Sequence, residues 1–157
     1  MQRITPCLWF DGRAEEAMEF YTSVFKGSKK GKVTRYGEAG PGKPGSVMTV
    51  TFELEGQEFM GINGGPQFQF TPAISFVIRC KNQKRVDYYW EKLLEGGAPQ
   101  QCGWLTDKFG VSWQVVPTVL PKLLKVKDAE RSQRVMEAML KMVKLDIKAL
   151  KNAYKGR

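Results

Sequence analysis

Apolar and polar residues alternate along Met48–Leu54. Met48, Val50, Phe52 and Leu54 fall on one side, Thr49, Thr51 and Glu53 on the other, the pattern of a strand with one buried face. Upstream the period changes. In "DGRAEEAMEFYTSVFKG", Ala14, Ala17, Met18, Tyr21, Val24 and Phe25 recur at helical spacing, Glu15 and Glu16 occupy the first turn, and Gly27 offers a stop. A second helix is predicted in "NQKRVDYYWEKLLEGG", with Val86, Tyr89, Trp90 and Leu93 on one stripe, Asn82 as N-cap and Gly96–Gly97 as the end.

The two helices sit in matching contexts. A short Pro-led strand precedes each, "TPCLWF" (5–10) and "TPAISF" (71–76), and three β-like pieces follow each. In the first half these are "KGKVTRYG", "SVMTVTFELEG" and "QEFMGING"; in the second, "APQQCGW", a short piece around Leu105, and "VSWQVVP". The predicted fold class is therefore α+β, with paired βαβββ modules over residues 1–66 and 67–117 and a C-terminal helical extension over 118–157. One such module cannot cover both faces of its sheet, so the two are expected to curve around a shared space, the natural pocket. In the extension Met136, Met139, Leu140, Val143, Ile147, Leu150 and Tyr154 follow helical spacing, with Asp146 a cap dividing two helices. This stripe is expected to pack across the back of a sheet or against a second subunit.

Composition narrows the chemistry. No apolar run among the 157 residues approaches a membrane span, and the start "MQRITPC" has no leader pattern, so a cytoplasmic location is expected. Cys7, Cys80 and Cys102 form no CxxC pair, and histidine is absent, which excludes any His-based triad or His-ligated metal site. Of the net charge of +9, residues 118–157 carry +7, from eleven Lys and Arg against four Asp and Glu. Lysine predominates there and no aromatics interleave with it. That favours a solvated helix face over a nucleic-acid or lipid patch. The stretch "GEAGPGKPGS" (37–46) imitates GxGxxG and Walker A motifs, but Pro44 stands where a Mg²⁺-binding hydroxyl belongs and the stretch joins two strands. It reads as a β–β loop able to cover a pocket mouth.

"DKFGVSWQVVP" (107–117) predicts a tight turn over Asp107–Gly110 and then a strand with Val111, Trp113 and Val115 on one face and Ser112, Gln114 and Val116 on the other. An unpartnered buried amide costs roughly 1–3 kcal/mol. Gln114 must therefore face water, find a partner or line a cavity. The predicted ligand-binding lining is Leu8, Phe10, Thr49, Thr51, Ser75, Ser112 and Gln114. Trp104, beside Gly103 near the hairpin, is the candidate for stacking on a ligand. Asn63, in "GINGG", is a further candidate, with a turn role as the competing reading. No carboxylates pair for acid–base work, and catalytic residues are not assigned.

"ITPCLWFDGRAEEAMEFYTSVF", "GQEFMGINGG", "DKFGVSWQVVP" and "RVMEAMLKMVKLDIKALKNAY" together resemble the PhnB-like family, often labelled 3-demethylubiquinone-9 3-methyltransferase. That family belongs to the vicinal oxygen chelate superfamily, with glyoxalase I, extradiol dioxygenases and bleomycin-resistance proteins. The resemblance implies paired βαβββ modules and a homodimer. It also implies metal-ligand positions in the first, fourth, fifth and eighth strands, which fall here at or near Pro6, on Asn63 (with Glu58 at the edge), at or near Ala73, and on Gln114. Proline and alanine supply no ligand, and two neutral amides lack the anionic or imidazole donors divalent ions favour. Gln114 then reads as the neutral relic of a metal-binding carboxylate.

The expectation is a metal-independent small-molecule binding protein of the glyoxalase/bleomycin-resistance type, with no metal and no cofactor. The alternatives are a divalent-metal enzyme of the same superfamily, a methyltransferase as the family label suggests, or partner or nucleic-acid binding through the basic tail. A Gly-rich turn after "TPCLWF", which the common S-adenosylmethionine fold would need, is missing.

Overall fold

Glu55 and Gly56 both adopt positive φ, 49° and 85°, in a computed structural model that describes residues 2–125 and 127–157. A two-residue turn of that geometry matches the right-handed twist of paired strands. It joins β3 (Val47–Leu54) to β4 (Gln57–Asn63), completing a sheet with β1 (Cys7–Phe10) and β2 (Ser28–Arg35) in the order β1-β4-β3-β2. β1 runs parallel to β4, and the other pairs are antiparallel.

Helix α1 (Ala14–Val24) buries Ala14, Ala17, Met18, Tyr21 and Val24 against one face of this sheet. Beneath it lie Leu8, Phe10, Val50, Phe52 and Phe59, with Phe52 and Phe59 stacked at 5.5 Å. A Cβ on Gly61 would fall 3.0–3.4 Å from Val50, Phe10 and Ala14, so glycine permits the close approach of helix and sheet. Arg13 supplies no side-chain cap to α1; instead Asn63 Oδ1 accepts from Ala14 N at 2.9 Å.

The second sheet repeats the plan. β5 (Ser75–Cys80), β6 (Ala98–Pro99), β7 (Trp104–Thr106) and β8 (Ser112–Pro117) are ordered β5-β8-β7-β6, with β5 parallel to β8. α2 (Gln83–Leu94) buries Val86, Tyr89, Trp90 and Leu93, and Asn82 caps it by accepting from Arg85 N. Strand order and connection are those of the first sheet shifted by four.

One piece of the second module is much shorter than "APQQCGW" suggests. Cys102 and Gly103 take φ of 59° and 83°, and their N–H groups donate to the carbonyls of Met142 and Val143. The C-terminal segment thus takes hydrogen bonds that a longer edge strand would have used.

Asp107 sets the β7–β8 turn. Its carboxylate, 3% exposed, accepts from Phe109 N (2.9 Å) and Val111 N (3.1 Å) through Oδ1 and from Trp113 Nε1 (2.9 Å) through Oδ2. Gly110, with φ 91°, closes the turn by donating to Asp107 O.

Among the described residues, 118–125 and 127–157 carry three helices rather than two. α3 (Val119–Leu124) precedes α4 (Ala129–Leu140) and α5 (Ile147–Lys155), the latter two capped by Asp128 and Asp146. Pro121 is tolerated because it falls in the first turn of α3. Leu120, Val135, Leu145 and Leu150 form their own buried cluster, joined by Val116, Met139 and Tyr154. The expected stripe is split: Met139, Leu150 and Tyr154 point inward, whereas Met136, Leu140 and Val143 are 39, 58 and 42% exposed. α4 is rotated so that Val135 and Met139, one turn apart, face the cluster.

The chain divides into two compact units, Met1–Phe70 and Thr71–Arg157. Phe68 and Phe70 belong with the first because they meet Trp9 and Phe10 edge-on. The C-terminal helices belong with the second module, tied to α2 by Gln83, whose amide bonds Leu145 O and Ile147 N, and by the Lys144–Asp87 ion pair. Asp87 is held below the usual carboxylate range by its Lys144 contact, then by Gln83. This exposed tie is present above that range and weakens as pH falls through it.

Asp107→Ala would leave two buried donors and one part-buried donor without that acceptor and is expected to cost roughly 3–5 kcal/mol in urea unfolding. A loss below about 1 kcal/mol, the size of an ordinary surface substitution, would show that the carboxylate does not lock the turn.

Candidate functional site

α2 covers one face of the second sheet and leaves the other to different contacts. Strand pairing sorts the residues. Ser75 lies opposite Ser112, Val77 opposite Gln114, and Trp104 and Thr106 opposite Gln114 and Ser112 on β8's other side. Directly paired residues point to the same side of a sheet. Ser75, Trp104, Ser112 and Gln114 therefore share the face away from α2, whereas Leu105, Trp113 and Val115 are buried on the α2 side.

The polar groups on this face form a small system. Gln114 Nε2 donates to Ser75 Oγ at 2.9 Å, so the amide is half-buried and partnered on one side. Ser112, 1% exposed, carries a buried Oγ with no hydrogen-bond partner among the described residues. A hydroxyl left so costs about 1–3 kcal/mol. Trp104 is half-buried beside them, and Val77 exposes 43% of its surface. One face thus presents an indole, an apolar side chain, an amide, the hydroxyls of Ser75, Thr106 and Ser112 and the exposed guanidinium of Arg79, a mixture of apolar and polar groups that can hold a small organic molecule.

The first-unit candidates do not all come together. Leu8 and Phe10 pair with Gly61 and Asn63 and lie buried under α1. Thr49 and Thr51 pair with Ile62 and Met60 and face the other way, with Cys7 and Trp9. The expected lining is therefore divided between two faces of this sheet. "LWF" is apolar at all three positions, so alternation alone cannot tell which two residues point inward; Gly61, which lets α1 approach, was the available signal. The threonines are also committed. Thr49 Oγ1 and Thr34 Oγ1 share a hydrogen bond at 2.5 Å, and Thr51 Oγ1 accepts from Lys32 N at 2.8 Å where β2 departs from regular pairing.

Asn63 has its amide engaged twice, accepting from Ala14 N and donating to Val47 O at 3.1 Å. It ties the start of α1 to the start of β3. It also borders a cleft of about 510 Å³ within the first unit, one wall of which is the glycine-rich loop at Pro41, Gly42 and Ser46. Tyr36 supports this loop: Cβ atoms on Gly40 and Gly42 would collide with its ring, and its hydroxyl donates to Asn63 O. Asp11 and Glu15 also line the cleft, and their negative charge opposes phosphate binding there.

The metal-ligand positions implied by the resemblance can be compared with their surroundings. Pro6 offers its carbonyl to Met60 N, Ala73 is exposed, and Gln114 and Asn63 are neutral amides with partners. Among the described residues no group of three or more His, Cys, Asp or Glu is placed to hold a metal ion. This donor set does not fit a divalent cation. Cys7 and Cys80 are not activated nucleophiles either. Burial raises the Cys7 pKa, and burial lifts that of Cys80 to about 11 despite the opposing charge of Arg85. Among the described residues, no helix is long and apolar enough to cross a membrane.

Two βαβββ modules with matching strand order define the class, the fold of the vicinal oxygen chelate superfamily. Within it the chain belongs to the family described as 3-demethylubiquinone-9 3-methyltransferase, whose model matches residues 2–116. Among solved structures it is similar to the PhnB protein of Bacillus cereus, at 44% identity and a TM-score of 0.68 over 74% of this chain and 100% of that one. It is also similar to protein PA1353 of Pseudomonas aeruginosa, at 20% identity and a TM-score of 0.62 over 74% and 98%. The fosfomycin resistance protein FosX of Listeria monocytogenes shares 15% identity and a TM-score of 0.56 over 80% and 98%. The last two show the fold alone. No curated protein matches the chain. The family match ends at residue 116 and does not take in the tail words over which the sequence resemblance extends.

Cys80 gives a pH-dependent signature. Its folded pKa lies above the 9.0 of an unburied thiol, so its stabilising contribution is complete below pH 9 and is lost as pH rises through about 11. The stability advantage of wild type over Cys80→Ala is expected to shrink across that window in urea titrations. A constant difference would contradict the burial of this thiol.

Proposed function

We propose that the chain is a metal-independent small-molecule binding protein of the glyoxalase/bleomycin-resistance type, working as a cytoplasmic homodimer. The ligand rests on the face of the second sheet away from α2, against Trp104, with its polar end at the Gln114–Ser75 pair. The observation that carries this reading is the half-buried Gln114 amide, which donates from Nε2 to Ser75 Oγ and is paired on the same face with Trp104. A neutral amide and hydroxyls suit a carbonyl, hydroxyl or amide on an otherwise apolar or aromatic ligand.

An enzymatic role is the second reading, favoured by the family's methyltransferase description. The mixed sheets here are not the doubly wound parallel sheet of the common S-adenosylmethionine enzymes, and the donor set argues against metal-assisted chemistry. Binding is therefore the stronger reading of the site.

In an NMR screen with small aromatic amides as probes, binders are expected to shift the Gln114 side-chain amide and the Trp104 indole signals. Gln114→Leu is expected to leave thermal unfolding within about 1 kcal/mol of wild type, as for loss of one neutral hydrogen bond. It should change the probes' affinity about fivefold or more, as loss of such a bond does. Probes that bind with unchanged affinity to Gln114→Leu, or shift only distant signals, would remove this face from the function.

A further inference from the structure

Where α5 begins beside the start of α2, the second unit forms a cleft of about 640 Å³. Its walls include Lys81 from the end of the β5 connection and Lys148, Lys151 and Lys155 from α5. None of these four lysines makes an ion pair among the described residues, in contrast to nearby Lys144, which meets Asp87 at 2.8 Å. The carboxylate in the cleft, Asp146, is occupied as the α5 cap, its Oδ1 accepting from Ala149 N at 2.8 Å. Gln83 fixes the walls by accepting from Ile147 N and donating to Leu145 O.

The lysines of α5 stand at i, i+3 and i+7, on one face of the helix, where like charges repel by a few tenths of a kcal/mol per pair. Such a row spans roughly 10 Å, longer than one phosphate and suited to two or three in a chain. The dipoles of α2 and α5 add positive potential at their starts. The first-turn amides of Arg85, Ile147 and Ala149 are already bonded within the protein, so the ammonium groups must hold the ligand.

We infer that this cleft binds a small soluble anion carrying two or three linked phosphates. Among the described residues no aromatic side chain lines it, so the stacking surface single-stranded nucleic acid uses is not supplied by them. The exposed apolar row of Met136, Leu140 and Val143, which a membrane would engage, lies on and just after α4, outside the cleft. Most of the site lies beyond residue 116, where the family match ends, so it belongs to the C-terminal extension of this chain.

The test uses the full-length protein and inorganic tripolyphosphate in calorimetry and thermal unfolding at fixed ionic strength. Saturable one-to-one binding that weakens with added salt is expected. Lys148→Gln with Lys151→Gln should reduce affinity about tenfold or more, as loss of two charge-assisted contacts does. The unliganded melting temperature should not fall. Lys81→Gln with Lys155→Gln should act similarly, while Lys29→Gln with Lys32→Gln in the first unit should not. Equal losses in all three pairs, no saturable binding, or tighter lysine-dependent binding to phosphatidylserine vesicles or a single-stranded oligonucleotide would overturn the assignment.

Discussion

The buried carboxylate of Asp107 decides which way β8 faces. By holding the N–H groups of Phe109 and Val111 and the indole of Trp113 at once, it fixes the residue at which the strand starts. Side chains alternate along a strand, so a slip of one residue would send Gln114 into the α2 core and Trp113 outward. Burial of a charged group is costly unless it is well bonded. Asp107 meets that condition with short bonds to three donors, and the arrangement of Ser112 and Gln114 on the open face follows from it.

That open face arises from a mismatch of areas. One helix covers one side of a four-stranded sheet, in each unit, and the other side must find another use. The first sheet spends its hydroxyls internally, where Thr34, Thr49 and Thr51 hold an irregular β2–β3 pairing. In the second sheet Ser112 remains uncommitted. Two copies of one strand order thus differ both in hydrogen bonding and in the length of the edge strand, eight residues in β2 and two in β6.

Much of this plan was legible from periodicity. The stripes of α1 and α2, the Asn82 and Asp146 caps and the split of Trp113 from Gln114 all follow from spacing and side-chain chemistry. Three features were not. Leu8, Trp9 and Phe10 are all apolar, so their alternation carries no phase, and Leu8 and Phe10, expected in the pocket lining, are buried under α1. Asn63 serves as a cap to a helix 49 residues earlier, a long-range role that no local rule detects. The outward turn of Met136, Leu140 and Val143 reflects the presence of α3, whose Leu120 draws α4 toward Val135.

The proposed chemistry of the face away from α2 rests on the neutral Gln114 amide and its bond to Ser75. The cationic cleft is a separate matter, with most of its lining beyond the family match and Lys81, Asn82 and Gln83 inside that match. Anomalous diffraction from crystals grown with excess Mn²⁺ and soaked with a small aromatic amide tests the claim most directly. The account expects organic density against Trp104 and the Gln114 amide with no anomalous peak on that face. A manganese ion coordinated there by Gln114 would contradict it.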